Sequence, residues 1–479
     1  MIEGLKPYAE YKESGQEWLG QVPRQWAAFP LCRVATPKSE CGRTDLELLS
    51  VYLHRGVIRY ADSGGQVHKP SLDLSKYQVV APGDFVLNNQ QAWRGSIGVS
   101  KFQGIISPAY VVLKLSPKLN PDYANYLFRS PAMVAQYLAA SRGVGDIQRN
   151  LFYPDLRNSI AIVPPPDEQA AIVRFLDHAN RKIDGFIRAK RKLIGLLNEQ
   201  KQAIIHRAVT GKDEVRMVKD ENGNSSFILQ PSTLPKKPSG IPWLGDIPQH
   251  WEVRRLRFCI VGKLSYGANA AAEFDNPDWP RYLRITDFNN DGSLRADTFR
   301  SLPPHVAKDY PVEDGDILFA RSGATVGKAF LVRTEIEKAC YAGYLIRARP
   351  NADVVLPTFL FAFTQSTAFA CWKDAIFNRA TIQNIGADKY ANLIVPIPPI
   401  AEQQAILDFI EKDIAPLRTA IARTEREIAL MQEYRTRLTA DLVTGKLDVR
   451  EAAAKLPDLP ADTSAEEELG KLLEEPETE

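Results

Sequence analysis

Cysteine and histidine are scarce in this sequence, and their spacing argues against two common classes of protein. The 479 residues include five cysteines and six histidines. The cysteines are Cys32, Cys41, Cys259, Cys340 and Cys371, with no CxxC pair and no histidine nearby. Disulfide scaffolds and structural zinc sites need paired or closely spaced ligands. We therefore expect reduced thiols, most of them packed in cores, and no metal site.

Long hydrophobic runs are also missing. No stretch approaches the roughly 18 unbroken apolar residues of a membrane-spanning helix, and the N-terminal sequence MIEGLKPYAEYKESG lacks the apolar run of a signal peptide. Hydrophobic residues make up 44% of the chain and charged residues 25%, as in ordinary globular proteins. We expect a cytoplasmic protein without membrane association and with two or more domains.

Charge is unevenly distributed along the chain. From Leu447 onward, three Lys and Arg stand against eleven Asp and Glu, which gives this segment a net charge of −8. Because the whole chain carries +2, residues 1–446 carry +10. A basic body suits a polyanion such as DNA, although a basic solvated surface is equally common. Residues 447–479, rich in Glu and without aromatics, are predicted to form a disordered acidic tail.

The same set of motifs occurs twice, in the same order. SGQEWLGQVPRQW at 14–26 corresponds to SGIPWLGDIPQHW at 239–251, and APGDFVLNNQQAWRGSIG at 81–98 corresponds to EDGDILFARSGATVGK at 313–328. IAIVPPPDEQAAIVRFLD at 160–177 corresponds to LIVPIPPIAEQQAILDFIE at 393–411, and VTGK occurs at 209–212 and 443–446. Four ordered matches indicate an internal duplication.

The spacing between the two copies separates variable parts from constant ones. The offset rises from 225 residues at the first motif to 234 at the last two, whereas Glu168 to Val209 and Glu402 to Val443 both span 41 residues. Loops tolerate changes of length, but a rigid element with a fixed register does not. Each copy is therefore predicted to be a variable globular part followed by a rod of constant length.

Both constant segments are predicted to be long helices with an apolar seam. In the first, the seam positions are Ile172, Leu176, Ala179, Ile183, Phe186, Lys190, Leu193, Leu197, Gln200 and Ile204. In the second, they are Leu407, Ile410, Ile414, Leu417, Ile421, Thr424, Ile428, Met431, Arg435, Leu438 and Leu442. This 3.5-residue period is typical of a coiled coil. We expect the two helices to pack against each other antiparallel, with one globular part at each end.

Local features of the rods support helices and raise one open question. Prolines and acidic residues stand at the helix starts, and Gly211 and Gly445 stand where left-handed C-caps belong. Pro416 is expected to bend the second helix locally. The polar seam residues Lys190, Gln200, Thr424 and Arg435 either fix the register of the pair or are simply exposed.

The globular parts combine β-rich runs with amphipathic helical runs, which predicts a mixed α/β (α+β) fold. The predicted organisation is a first globular domain at 1–166, a helix at 167–211, a linker at 212–236, a second globular domain at 237–400, a helix at 401–446 and the tail at 447–479. Trp18, Trp26, Trp243 and Trp251 are interpreted as anchors of the domain starts, with base stacking as the alternative.

Polar and basic segments that follow strands are candidate DNA contacts, because Arg, Lys, Asn and Gln can bond base edges and Ser or Thr can bond phosphates. In the first copy they are Asn88, Asn89, Gln90, Gln91, Arg94, Ser96, Arg142, Gln148, Arg149 and Asn150. In the second copy they are Arg321, Ser322, Thr325, Lys328, Asn378, Arg379, Thr381, Gln383 and Asn384. For any one of them an ordinary surface loop remains the alternative.

Catalytic signatures are weak. GATVGKAF at 323–330 resembles a phosphate-binding loop, but it has three residues between the glycines instead of four, and Ala329 replaces the required Ser or Thr. We find no methyltransferase signature.

Two alternatives to DNA recognition remain open: a coiled-coil scaffold whose globular parts bind proteins, and a self-contained enzyme.

The order of these motifs resembles the specificity subunits of Type I restriction-modification systems. The resemblance rests on WLGxxPxxW, on GD followed by a polar loop, and on (V/I)PxPxxEQ leading into a long helix that ends in VTGK, all present twice. It covers nearly all of residues 8–450. The acidic tail departs from the family pattern, and so does the first loop, which has Asn and Gln where the second has Arg and Ser.

The resemblance implies a non-catalytic subunit. In that family two target-recognition domains each read one half of a split site in double-stranded DNA, and the paired helices act as a spacer. The helices also dock two methyltransferase subunits, and two restriction/translocase subunits can join the complex. No cofactor is expected in this chain, because S-adenosylmethionine, ATP and Mg are expected on the partner subunits.

Overall fold

The structure, a computed structural model, describes residues 5–16, 19–53, 55–63, 70–144, 148–219, 225–231, 234–289, 294–323, 325–333, 338–377 and 384–457. These residues form both helices and strands, which confirms the predicted mixed α+β class.

The first copy consists of short strands and short helices that precede a long helix. Its strands are β1 Tyr11–Glu13, β2 Gln21–Pro23, β3 Ala27–Pro30, β4 Ala35–Pro37, β5 Leu49–Tyr52, β6 Gly56–Arg59, β7 Gln78–Val80, β8 Asp84–Asn88, β9 Ile97–Val99, β10 Gly104–Ile106, β11 Tyr110–Leu115, β12 Ser141–Val144, β13 Gln148–Leu151 and β14 Ile160–Val163. Its helices are α1 Pro121–Phe128, α2 Pro131–Ala139, α3 Tyr153–Leu156 and α4 Pro166–Val209.

The second copy repeats this arrangement. Its strands are β15 Asp213–Lys219, β16 Ser225–Pro231, β17 Lys236–Pro238, β18 Asp246–Pro248, β19 Glu252–Arg255, β20 Ser265–Tyr266, β21 Arg281–Leu283, β22 Ile317–Ala320, β23 Ala329–Leu331, β24 Ala339–Tyr341, β25 Leu345–Ala348 and β26 Ile394–Ile397. Its helices are α5 Pro304–Ala307, α6 Pro357–Thr364, α7 Thr367–Phe377, α8 Ala387–Ala391, α9 Ile400–Val443 and α10 Arg450–Ala454. Within the segment predicted as a linker, β15 and β16 pair as an antiparallel hairpin.

The described residues fall into two compact units. Unit 1 contains the residues up to Arg191 together with those from Arg426 onward, and unit 2 contains Lys192–Glu425. Each long helix therefore contributes one end to each unit. As a result, the end of the second copy's helix is part of the unit formed mainly by the first copy.

Each unit contains a four-stranded antiparallel sheet with the same strand order. The order is β4-β11-β8-β9 in unit 1 and β20-β25-β22-β23 in unit 2. In both units the strand before the long helix pairs with the strand after the motif tryptophan, as β14 with β3 and as β26 with β19. The duplication seen in the sequence is thus a duplication of the fold.

The long helices pair antiparallel within each unit. In unit 1, Ile172 at the start of α4 belongs to the same hydrophobic cluster as Leu442 at the end of α9. In unit 2, Ile205 at the end of α4 shares a cluster with Ile406 at the start of α9. Because the start of one helix meets the end of the other in both units, the predicted antiparallel pairing is confirmed.

The inward face of α4 differs from the predicted seam in the middle of the helix. Its inward isoleucines repeat every 11 residues, at Ile172, Ile183, Ile194 and Ile205. Ile187 is buried, whereas Phe186 and Leu193, predicted to face inward, are 37% and 40% exposed. Eleven residues in three turns is close to the period of a straight helix, so this face needs no left-handed supercoil. In α9 the predicted positions from Ile410 to Leu442 are buried or half-buried.

Two of the polar seam residues join the helices within unit 1. Lys190 Nζ lies 2.8 Å from the Glu427 carboxylate, and Arg435 pairs with Asp184. Partly exposed ion pairs contribute at most about 1 kcal/mol to stability. Their positions nevertheless fix which turns of the two helices lie opposite each other. Lys190 and Arg435 therefore fit the first alternative from the sequence, in which polar seam residues set the register of the pair.

The other polar seam residues have different surroundings. Thr424 is buried, and its Oγ1 donates a hydrogen bond to the Ala420 carbonyl oxygen of its own helix (2.7 Å). Gln200 is exposed, which fits the second alternative from the sequence, in which a polar seam residue has no role in the register. Helix α9 continues through Pro416, which is exposed.

Residues 447–457, predicted as the start of the disordered tail, belong to unit 1. They include helix α10, and Val449 and Ala453 are buried in the core of that unit. The prediction was wrong here because the average composition of the segment hid two apolar residues that share one helical face. The remaining tail, residues 458–479, lies outside the described residues.

All five cysteines are free thiols, but the expectation that most pack in cores is wrong. Cys259 and Cys340 are buried, Cys32 is half-buried, and Cys41 and Cys371 are exposed. Burial raises the pKa of the Cys340 thiol to about 12 and that of the Cys259 thiol to about 11. These two thiols therefore stay protonated at neutral pH.

The VTGK motifs end the long helices with glycine caps, as predicted. Gly211 and Gly445 have φ of +66° and +78°, and the N–H of the following lysine donates to the carbonyl five residues earlier (3.0 and 2.8 Å). A Cβ on Gly445 would lie 2.3 Å from Pro23 Cδ, and one on Gly211 would lie 2.3 Å from Pro248 Cδ. Each VTGK motif thus lies directly against the WLGxxPxxW motif of the other copy.

We predict that Gly445→Ala destabilises unit 1 and that Gly211→Ala destabilises unit 2, each by roughly 2–5 kcal/mol. The added methyl group meets a rigid proline ring and occupies a left-handed backbone position. Urea unfolding gives the magnitude, and hydrogen exchange followed by peptide mass spectrometry identifies the affected unit.

Gly195→Ala is the matched control for these variants. Gly195 lies inside α4 with no atom within 4 Å of an added Cβ, so alanine should stabilise the helix by about 1 kcal/mol. Equal changes in the free energy of unfolding for all three variants would contradict the packing described for the VTGK motifs.

Candidate nucleic-acid interface

The motif tryptophans bind the first turn of the long helices. Trp26 Nε1 donates to a Glu168 carboxylate oxygen (2.7 Å), and Trp251 Nε1 donates to Glu402 (3.0 Å). Both indole rings are fully buried in their units. These two tryptophans are therefore core anchors, as interpreted from the sequence, and are not available for base stacking. Trp243 is half-buried against the core of unit 2, and Trp18 lies outside the described residues.

The glutamine that follows each of these glutamates fixes the chain before the helix. Gln169 Nε2 donates to the carbonyl oxygens of Pro164 and Lys118 (2.9 Å each), and its Oε1 accepts from the Asn120 N–H (2.7 Å). Gln403 makes the equivalent three hydrogen bonds in unit 2. The paired EQ motif is thus explained by structure, without a ligand.

The aspartate of each GD motif also has a structural role. Asp84 accepts from the Ala81 N–H (2.8 Å) and pairs with Lys38 (2.7 Å) at the start of β8. Asp316 holds the same position at the start of β22 and accepts two hydrogen bonds from Arg349 (2.8 and 2.9 Å). Each aspartate fixes the start of a central strand, and the candidate DNA-contacting segments follow the other end of the same strand.

The two predicted segments of the first copy meet in unit 1. Strands β12 and β13 form a hairpin in which Arg142 lies opposite Asn150 and Gly143 lies opposite Arg149. The Leu151 N–H at the end of this hairpin donates to the carbonyl oxygen of Asn89, which follows β8 (2.9 Å). The described residues of segments 88–96 and 142–150 therefore lie side by side on one surface.

The predicted side chains of this surface differ in exposure. Gln90, Arg94, Arg142 and Asn150 are exposed, while Asn88, Asn89, Gln91 and Arg149 are half-buried. Ser96 is buried and its hydroxyl donates to the Val51 carbonyl oxygen (3.1 Å), so it stabilises the loop and does not face solvent. For Gln148 the structure describes only the backbone, in β13.

Arg142 is held by neighbours within unit 1. Its guanidinium donates to Asp155 Oδ2 (2.9 Å) and lies 3.8 Å from the centre of the Phe152 ring. Both partners are themselves partly exposed. Arg142 thus has a structural role on the hairpin, and its contact with DNA stays a prediction.

One aromatic residue at this surface was missed by the sequence analysis. Trp93 lies in a short 3-10 turn, Ala92–Arg94, and the guanidinium carbons of Arg94 and Arg149 lie 4.6 and 5.7 Å from its ring centre. Its position between amide and basic residues in NNQQAWRG was the available signal, because such interleaving is typical of nucleic-acid surfaces.

The equivalent place in unit 2 is the segment after β22. The carbonyl oxygen of Arg321 accepts from the Ile385 N–H (2.9 Å), and Ser322 forms a backbone bridge with Asn384. Thr325 is half-buried and Lys328 is exposed. Asn384, the described end of the second predicted segment, therefore lies next to the first predicted segment. Asn378, Arg379, Thr381 and Gln383 lie outside the described residues.

Among the residues that the structure describes, no group of three or more His, Cys, Asp and Glu side chains could hold a metal ion. Within the same residues, no helix has the length and apolar character needed to span a membrane.

Comparison with known protein families identifies the second copy. Residues 249–428 match the family model of the Type I restriction modification DNA specificity domain. This segment of the chain is thus similar to Type I DNA specificity domains. The matched segment includes β22, the loop after it and most of α9, so the candidate surface of unit 2 is part of this specificity domain. The resemblance found in the repeated motifs is thereby confirmed.

Curated relatives extend the similarity to the first copy. The chain is 25% identical over 334 residues to the EcoBI specificity subunit of Escherichia coli, covering 65% of this chain and 66% of the relative. It is 22% identical over 209 residues to the StySPI specificity subunit of Salmonella potsdam, covering 42% of this chain and 44% of that one. In both cases the match spans less than two thirds of the relative's length.

Longer matches come from another subunit and from a solved structure. The EcoDI specificity subunit of Escherichia coli is 21% identical over 470 residues, covering 93% of this chain and 97% of the relative. A chain in a solved structure that describes complex assembly and conformational transition of the type I R-M system has a TM-score of 0.56 at 16% identity. That match covers 88% of this chain and 98% of the other, and it shows a common fold.

We predict that Glu168→Gln destabilises unit 1 by about 1–3 kcal/mol. The carboxylate accepts hydrogen bonds from Trp26, Gln25 and Tyr8, and an amide nitrogen placed among these donors leaves at least one of them unpaired. Urea unfolding measures the loss. Glu433→Gln, an exposed change on α9, is the control and should leave stability within about 0.5 kcal/mol. Equal effects would contradict the anchoring role of Glu168.

Proposed function

We propose that this chain is the DNA-reading subunit of a Type I restriction-modification complex and that each compact unit reads one half of a bipartite DNA target. The observation that carries the proposal is the match of residues 249–428 to the DNA specificity domain, combined with the same sheet order in unit 1. Two equivalent units with different surface loops are suited to two different half-sites.

The composition of the loops and the charge of the chain support DNA as the partner. Segment 88–96 in unit 1 and segment 321–328 in unit 2 follow the equivalent strands β8 and β22. The described residues of these segments and of segment 142–150 include Arg, Lys, Asn and Gln. Residues 1–446 carry a net charge of +10. Contacts between these cations and phosphates release counterions, so binding should weaken steeply as salt concentration rises.

The catalytic chemistry belongs, in this proposal, to partner subunits. Methyltransferase subunits dock on the long helices, which keep exposed apolar side chains: Phe186, Leu193 and Leu196 on α4 are 37%, 40% and 53% exposed, and Leu430 on α9 is 53% exposed. Apolar groups that a soluble helix leaves exposed are suited to a protein partner. S-adenosylmethionine would bind to those subunits, and ATP and Mg to restriction subunits where these are present.

The proposal is tested by methylation sequencing. The full chain is expressed together with its adenine-methyltransferase subunit in a host that lacks other such systems, and methylated adenines are mapped across the genome. We expect one motif made of two specified parts separated by a fixed number of unspecified bases. No methylation that depends on this chain, or a single uninterrupted motif, would contradict the proposal. A protein-binding scaffold would give the first of these results.

The length of the helices is proposed to determine the gap between the two half-sites. We predict that inserting seven residues after Arg191 and seven after Glu425 lengthens each helix by roughly 10 Å and widens the gap by about three base pairs. Adding two turns to both helices rotates their faces by only about 20°, so the antiparallel pairing is kept. Mapping of methylated adenines measures the gap, and an unchanged gap would contradict the spacer role.

A further inference from the structure

In unit 1, the guanidinium groups of two arginines from distant segments lie over a single indole ring. Arg94 lies directly after Trp93, and Arg149 lies on β13, 55 residues later in the sequence. Their guanidinium carbons are 4.6 and 5.7 Å from the centre of the Trp93 ring. The ring therefore brings together two cationic side chains that the sequence alone does not place next to each other.

The ring and both backbone segments are held in place. Trp93 Nε1 donates to the carbonyl oxygen of Gln90 (3.0 Å), and Gly95, with φ of +96°, ends the turn. The hairpin that carries Arg149 is bonded to the carbonyl oxygen of Asn89 (2.9 Å). Side chains ordered before binding lose less conformational freedom when a ligand arrives.

Unit 2 has the same combination at the equivalent place, built from different residues. Arg321 follows β22, and its guanidinium carbon lies 5.0 Å from the ring centre of Tyr266, which is 43% exposed. The Tyr266 hydroxyl accepts from the Ala387 N–H (3.0 Å), which fixes this ring as well. Because Tyr266 lies on edge strand β20, and Trp93 lies in the turn after β8, the two aromatic residues do not correspond in the duplication.

We propose that these arginines each contact a guanine of the half-site read by their unit, with Arg94 and Arg149 acting in unit 1 and Arg321 in unit 2. Trp93 and Tyr266 are positioning residues that hold the guanidinium groups. The planar guanidinium of arginine packs on aromatic rings, and its fork of N–H groups matches O6 and N7 of guanine. The inference rests on the proposed DNA-reading function and specifies which residues and which base carry it.

The test uses the full chain with its methyltransferase subunit and compares methylation of duplexes that carry the mapped target or a single base change in it. Arg94→Ala or Arg149→Ala should lower the discrimination for guanine at one position of one half-site about 5- to 150-fold, and Arg321→Ala should do so only in the other half-site. Arg33→Ala, which removes an exposed arginine elsewhere in unit 1, is the charge-matched control and should leave discrimination unchanged.

The positioning role has its own readout. Trp93→Ala should relax discrimination at the guanine positions read by Arg94 and Arg149, and Trp93→Phe, which keeps an aromatic face, should largely restore it. Thermal unfolding of both variants checks that the fold is kept.

Two results would overturn the inference, and they differ from failure of the proposed function. If the arginine variants weaken methylation of every duplex equally, these side chains bind phosphates and do not read a base. If discrimination is unchanged in all of them, the clusters lie outside the interface. In either case a bipartite target of the unaltered chain would still stand, whereas its absence would remove the proposed function itself.

Discussion

Each unit depends on a tryptophan that lies between the start of one long helix and the end of the other. In unit 1, Trp26 donates to Glu168 at the start of α4, and a Cβ on Gly445, after the end of α9, would lie 3.0 Å from the indole ring. Trp251 has the same relation to Glu402 and to Gly211 in unit 2. The tryptophan of each unit thus contacts three of the four repeated motifs. Because these contacts bring the start of one long helix to the end of the other, the helices must be antiparallel.

That constraint separates what must stay constant from what can vary. The EQ, GD and VTGK motifs and the motif tryptophans are occupied by internal hydrogen bonds and close packing, so they support the fold in both copies. The segments after β8 and β22 lie outside these contacts, and their sequences differ between the copies, with Asn and Gln in the first where the second has Arg and Ser. A fold of this kind lets the recognition surface change while the framework stays the same.

The sequence predicted the duplication, the two long helices and their caps, because periodicity and glycine chemistry are local properties. It placed Phe186 and Leu193 on the inward face because 3.5- and 3.67-residue periods differ by only one position after several turns. It missed Trp93 because Arg149 reaches the ring only through the fold of the hairpin. Composition also hid the burial of Val449, since averaging over an acidic segment removes the contribution of single apolar residues.

The antiparallel helix pair can be measured directly in solution. Zero-length carbodiimide coupling joins an amine to a carboxylate only when the two already touch, and Lys190 Nζ lies 2.8 Å from Glu427 in unit 1. The account predicts an isopeptide bond between these residues in peptide mass spectra of the native full chain. Lys455 and Glu451, 3.3 Å apart within α10 and the turn after it, provide the internal control. Coupling of the control pair without any link between Lys190 and Glu427 would contradict the pairing on which both units depend.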